Sequence, residues 1–93
     1  MNMDISDYYI VYYHPECPFS HAAVRLLRHK LRNPDLQMLL INLPRSGEDL
    51  ESCLQRVGVT NHHTFPAIFK NREFIGGYLE LKIFLEAHGD RSA

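Results

Sequence analysis

Residues 8–13, Tyr-Tyr-Ile-Val-Tyr-Tyr, form an unbroken aromatic and β-branched run. Such a run suits a strand buried on both faces, and His14-Pro15 ends it. Apolar residues then recur at Phe19, Ala23, Leu26, Leu27 and Leu31, the i, i+4, i+7, i+8, i+12 pattern of an amphipathic helix, which Asn33-Pro34-Asp35 stops. Residues 36–43, Leu-Gln-Met-Leu-Leu-Ile-Asn-Leu, predict a second strand closed by Pro44. Ser46 precedes Asp49 by three residues, a capping-box spacing. Leu50, Cys53, Leu54 and Val57 follow at i, i+3, i+4, i+7 before Gly58, which predicts a second, short helix with all four on its buried stripe. Residues 66–70 and 73–75 flank Asn71-Arg72 and read as a hairpin, and residues 78–88 read as a last helix stopped at Gly89.

The predicted order is therefore strand, helix, strand, helix, strand, strand, helix. A right-handed βαβ unit followed by a ββα unit gives an α/β domain whose mixed four-stranded sheet is flanked by three helices. No repeat or linker interrupts residues 1–93, so one domain is expected, with an ordered core at about 8–88 and loose ends at 1–6 and 90–93.

Composition narrows the function classes. At 93 residues and 45% hydrophobic, the chain has enough apolar material for one core, and a folded monomer is expected. The formal net charge is −1, from 10 basic and 11 acidic residues, which gives no global attraction to nucleic acid or to an anionic membrane. Residues 25–32 are locally basic, but their bases alternate with leucines as on a solvated helix face. No apolar run reaches the ~18 residues of a spanning helix, and the acidic start lacks the basic opening of a signal peptide. With two cysteines, a reducing cytoplasmic setting with free thiols fits better than a secreted disulfide scaffold. The six histidines show no metal-ligand spacing, His62-His63 being adjacent and not one helical turn apart, so no metal site is expected.

Cys17 falls where the first strand hands over to the first helix, and Pro18 takes the first helical position, where its missing N–H costs nothing. A thiolate there faces the unpaired amides of the first turn and the positive end of the helix dipole. Position alone makes Cys17 a candidate nucleophile. A protonated His14 would favour the thiolate, and Glu16 would oppose it unless its side chain points into water. Cys53, in contrast, lies on an apolar stripe and reads as a core residue. The spacing between the two leaves a Cys17–Cys53 disulfide open.

Cys17-Pro18-Phe19-Ser20 after a strand, Thr64-Phe65-Pro66 before a later strand and Gly76-Gly77 before the final helix together resemble the glutaredoxins, over about residues 8–88. The resemblance implies a thioredoxin-like fold with Cys17 as nucleophile and Ser20 in the place of the second cysteine of dithiol members, hence a monothiol site. Ser20 could donate a hydrogen bond to the thiolate. It also implies glutathione as cosubstrate. The proline of Thr64-Phe65-Pro66 would be cis and would present the Phe65 backbone to the bound tripeptide. Gly77 would allow close approach, the Tyr78 and Leu79 amides would hold the γ-glutamyl carboxylate, and Glu80 would meet the amino group. His14 stands at the family's usual lysine, Phe19 at its tyrosine, and His62 and His63 where a glycine-carboxylate ligand often lies.

Glutathionylated or disulfide-containing proteins are the implied partners. The favoured reading is thiol–disulfide exchange through a Cys17–glutathione mixed disulfide resolved by a second glutathione. Pro18 and the short loop before Cys17 separate the chain from the Cys-Gly-Phe-Ser members that carry iron–sulfur clusters. Cluster sharing between two chains is one alternative, and a thioredoxin-fold interaction module without useful turnover is another.

Overall fold

The computed structural model describes residues 7–44 and 48–88. Along the chain run β1 (Tyr9–Tyr13), α1 (Pro18–Lys30), α2 (Pro34–Gln37), β2 (Met38–Asn42), α3 (Glu48–Arg56), β3 (Ala67–Lys70), β4 (Glu73–Gly76) and α4 (Tyr78–His88). The four strands form one mixed sheet in the order β2-β1-β3-β4. β1 pairs parallel with β2 across the α1 crossover and antiparallel with β3, and β3 pairs antiparallel with β4.

The central place of β1 explains its uniformly apolar sequence, because alternate residues feed two separate cores. Tyr9 and Val11, with Ile68 of β3, meet Ala23 and Leu27 of α1 and Leu81 and Leu85 of α4. Ile10 and Tyr12 pack on the opposite face with Ala67 and Phe69 of β3 against Leu50 and Leu54 of α3. The sheet is thus sandwiched between α1 and α4 on one side and α3 on the other. Each fully buried leucine among these contributes about 1.5–3 kcal/mol. The hairpin closes through Asn71, whose φ of 56° suits asparagine, and its amide and side chain hold both backbone groups of Tyr8.

Three expectations are corrected. The second strand begins at Met38, not Leu36, because Pro34–Gln37 forms a helical turn, the fourth helix of the fold. Asn33 closes that turn: its carbonyl accepts the amides of Leu36 and Gln37, and its amide donates to Gln37 Oε1 at 2.9 Å. Leu36 is left outside the core. Val57 is exposed, because α3 ends at Arg56 and the Val57 amide folds back to Leu54 O. Cys53 is half-buried at the edge of the stripe and does not lie within the core. The expected cap at Ser46, the stop at Gly89 and the loose ends at 1–6 and 90–93 lie outside the described residues.

Candidate active site

Where β1 ends, the carbonyl of His14 accepts the Cys17 amide at 3.0 Å, closing a four-residue turn over Pro15 and Glu16. Cys17 then caps α1 with extended backbone angles, φ −97° and ψ 117°, and no side-chain cap bond, while Pro18 opens the helix. Its carbonyl accepts the amides of Ser20 and His21. The side chain therefore stands free of capping duty, beside the first-turn amides. Its S–H donates to the carbonyl of Phe65 at 3.7 Å, 48 residues along the chain. Cys17 and Cys53 are both free thiols.

The Phe65–Pro66 peptide bond is cis. On its far side the Pro66 carbonyl accepts His62 Nε2–H at 3.2 Å, and the His62 ring stands edge-on to Phe74 of β4. His62 also lies 3.5 Å from where a Cβ on Gly77 would sit. It thereby ties the loop before β3 to the start of α4. His63 does not join it, since its Nδ1 meets Glu51 Oε2 on α3 at 3.1 Å. Thr64 is exposed.

His14 is mostly buried. A carbonyl can only accept, so the 3.0 Å bond from Nδ1 to Leu43 O puts the ring proton on Nδ1. Nε2 is shielded from solvent, has no hydrogen-bond partner and lies 3.8 Å from Glu16 Oε1. The His14 ring leans on Phe65, with centroids 5.8 Å apart, so that Phe65 touches His14 with its ring and Cys17 with its carbonyl. Glu16 is mainly in water. Ser20 is fully buried, and its Oγ accepts the His14 amide at 3.3 Å. That bond braces the turn carrying Cys17.

At the other wall, Phe19 and Tyr78 approach with ring centroids 6.2 Å apart and join the starts of α1 and α4. The Gly77 carbonyl accepts the Leu81 amide, and the Gly77 amide donates to Glu80 Oε1 at 2.9 Å. Glu80 is thus half of a capping box for α4, a role not read from the sequence. Gly76 has φ +132°, and a Cβ there would lie 2.8 Å from the Cβ of Glu80. Leu79 is exposed.

The structure therefore gathers the beginning of α1, the loop before β3 and the beginning of α4 around one sulfur. It leaves His63 to one side, against α3. His62, which the resemblance puts with His63 at the glycine carboxylate, is the linking residue, a role not read from the sequence. The signal available in the sequence was its place four residues before Pro66, within reach of that carbonyl only once the loop has folded.

Comparison with known proteins accords with this arrangement. The glutaredoxin family model matches residues 8–75. A protein of Acanthamoeba polyphaga mimivirus named as a probable glutaredoxin is 30% identical over 82 residues, covering 84% of this chain and 77% of its own. Glutaredoxin-1 of Saccharomyces cerevisiae is 32% identical over 68 residues, 71% of this chain and 60% of its own. Among solved structures, a dithiolic glutaredoxin of Trypanosoma brucei brucei superposes with a TM-score of 0.68 at 27% identity, covering 94% of this chain and 84% of its own. Glutaredoxin 1 of Francisella tularensis shares the fold with a TM-score of 0.66 at 20% identity, covering 87% of this chain and 94% of its own. With its thioredoxin-like sheet, its cysteine opening α1 and a family match over most of its length, the chain belongs to the glutaredoxin family of thiol–disulfide oxidoreductases.

Proposed function

We propose that this glutaredoxin reduces protein–glutathione mixed disulfides by a monothiol mechanism in the cytoplasm, as a monomer. The observation that carries the reading is at position 20: a serine, fully buried and bonded to the His14 amide, occupies the place from which a dithiol relative would resolve Cys17.

In the first step the Cys17 thiolate attacks the glutathione sulfur of the mixed disulfide. The sulfur–sulfur bond breaks as the Cys17–glutathione bond forms, and the protein thiolate leaves and takes a proton from solvent. A second glutathione thiolate then attacks the glutathione sulfur held on Cys17. It leaves as oxidised glutathione and returns Cys17 as the thiolate, so the sum is one mixed disulfide plus one glutathione giving a free protein thiol and oxidised glutathione.

The residues around the sulfur have parts in this scheme. The Phe65 backbone pairs with the tripeptide as an added strand would. The amides of Tyr78 and Leu79 at the start of α4 receive the γ-glutamyl carboxylate, Gly77 leaves room for it, and Glu80 balances the amino group. Phe19 and Thr64 flank the glutathione, and the His14 ring supports Phe65 from below. His63 reaches the glycine carboxylate only by leaving Glu51.

Mass spectrometry after exposure to oxidised glutathione tests the scheme. The expected product is one glutathione adduct, on Cys17, formed equally well in Cys53→Ala and absent from Cys17→Ser. An internal Cys17–Cys53 disulfide, or no adduct at all, would overturn it.

A further inference from the structure

Among the described helices, α1 is the one that carries basic residues and no acidic ones, while α3 and α4 mix Arg56 and Lys82 with carboxylates. Arg25, Arg28 and Lys30 fall within six residues, and no acidic residue stands between Pro18 and Lys30, whereas α3 and α4 carry Glu48, Asp49 and Glu51 and Glu80 and Glu86. Arg25 and Arg28 are exposed, and neither guanidinium makes an ion pair among the described residues. Beside them, toward the edge strand β2, runs a groove of about 320 Å³. Tyr13, Val24 and Leu40 line it with half-buried apolar surface, and His21 and the two arginines supply its polar side.

The groove begins beside Ser20 and His21, in the first turn after Cys17. His21, Val24, Arg25 and Arg28 stand at i, i+3, i+4 and i+7, one continuous face of α1, and Cys17 caps the helix one turn before His21. At ~1.5 Å per residue, Val24 lies about 10 Å, Arg25 about 12 Å and Arg28 about 16 Å along α1 from Cys17. An extended peptide covers those distances in about three, four and five residues. The groove lies apart from the loop before β3 and the start of α4, where glutathione is assigned above. A protein–glutathione disulfide seated on Cys17 has two ends, and only the glutathione end is provided for there.

We propose that the α1 groove docks the protein end: an extended acidic segment of the disulfide-bearing partner, with an apolar side chain about three residues from its cysteine and carboxylates about four and five residues away. The apolar side chain covers Val24, Tyr13 and Leu40, and the carboxylates pair with Arg25 and Arg28, the charge complement that the described residues do not supply. This rests on the proposed deglutathionylation, of which it specifies the protein substrate.

Glutathionylated peptides test the assignment. One carries Leu at the third residue beyond its cysteine and Asp and Glu at the fourth and fifth, a second replaces the two acids by Asn and Gln, and the glutathione–cysteine disulfide is the small reference. Two exposed ion pairs are worth about fivefold to tenfold in kcat/KM, so the acidic peptide should exceed the neutral one by that factor at low salt. The ratio should fall toward one at high salt and in Arg25→Gln/Arg28→Gln, and persist in Arg72→Gln on the distant hairpin turn. Equal rates on the two peptides, a ratio that survives the double substitution, or stronger inhibition by a single-stranded oligonucleotide than by an acidic peptide of equal charge would each overturn it. If none of the three disulfides is turned over, the deglutathionylation reading fails by itself. The groove is then decided by fluorescence anisotropy with a labelled acidic peptide: binding lost in the double variant upholds it, and absent or undiminished binding overturns it.

Discussion

Cys17, which caps α1, and Cys53, within α3, are both half-buried free thiols, yet the regions that hold them are built differently. Around Cys17 the contacts are polar and largely backbone: the His14 carbonyl, the Phe65 carbonyl, and the Ser20 hydroxyl on the His14 amide. Cys53 sits mid-helix, one residue before Leu54 and beside Tyr12, where apolar burial holds α3 to the sheet. Degree of burial therefore does not separate the two sulfurs. What separates them is the end of a helix, where amides are unpaired, against its middle, where every amide is already used.

The sharpest way to break that contrast is to remove each sulfur in turn. Cys17→Ser should lower disulfide exchange by at least about a thousandfold, since the nucleophile itself is gone, while Cys53→Ala should stay within about twofold of the native rate. Comparable losses from both would mean that Cys53 takes part in turnover.

Stability should show the reverse dependence. Leu54→Ala, next to Cys53 and fully buried, is expected to cost about 2–5 kcal/mol in denaturant unfolding, and Val57→Ala at the exposed end of the same stripe within about 0.5 kcal/mol. On the Cys17 side the corresponding losses are smaller and come from hydrogen bonds. Ser20→Ala leaves the His14 amide without its acceptor and should cost about 1–3 kcal/mol, and Glu80→Ala removes the bond to the Gly77 amide at about 1 kcal/mol. A Ser20→Ala loss equal to that of Leu54→Ala would erase the distinction between the two regions.

The smallest effect is electrostatic. Burial raises the Tyr12 phenol above its ordinary range, the Cys53 thiolate adds to the rise, and Arg56 opposes it. Tyr9 is raised too, by burial and then by Asp7. A phenol with a raised folded pKa keeps its proton after the unfolded chain has begun to lose it. Both tyrosines should thus make the fold less stable as pH climbs past about 10, with full stability below that value. Cys53→Ala removes a negative neighbour and should move the Tyr12 midpoint down, read as the tyrosinate absorbance that Tyr12→Phe abolishes.

Most of this architecture was legible because it rests on local runs and spacings. The unbroken apolar run of β1 and the three-and-four spacing in α1 are properties of single segments, and so was the placing of Cys17 before Pro18. Misreadings arose where a distant or irregular partner decides the local structure. The turn at Pro34–Gln37 is closed by the Gln37 side chain, which also donates to the Asp7 carbonyl across 30 residues, while Leu36 mimics the start of a strand. In the site, the order of Cys17, Thr64-Phe65-Pro66 and Gly76-Gly77 could be read directly. The proton on His14 Nδ1, the bridge from His62 to the Pro66 carbonyl and the diversion of His63 to Glu51 could not, because each depends on which carbonyl or carboxylate the folded chain brings alongside.

The junction of Gly76 with Glu80 has a consequence for how this sequence can vary. A saturation library at position 80, scored for folding, should recover many variants, each losing little stability beyond a cap. At position 76 it should recover almost none: a side chain would strike the Glu80 stem, and shortening Glu80 to clear the space still leaves a backbone angle of +132° that only glycine accepts readily. The two neighbours would thus appear as one open and one closed column in a tolerance map, and no order of substitutions at the pair would open the second.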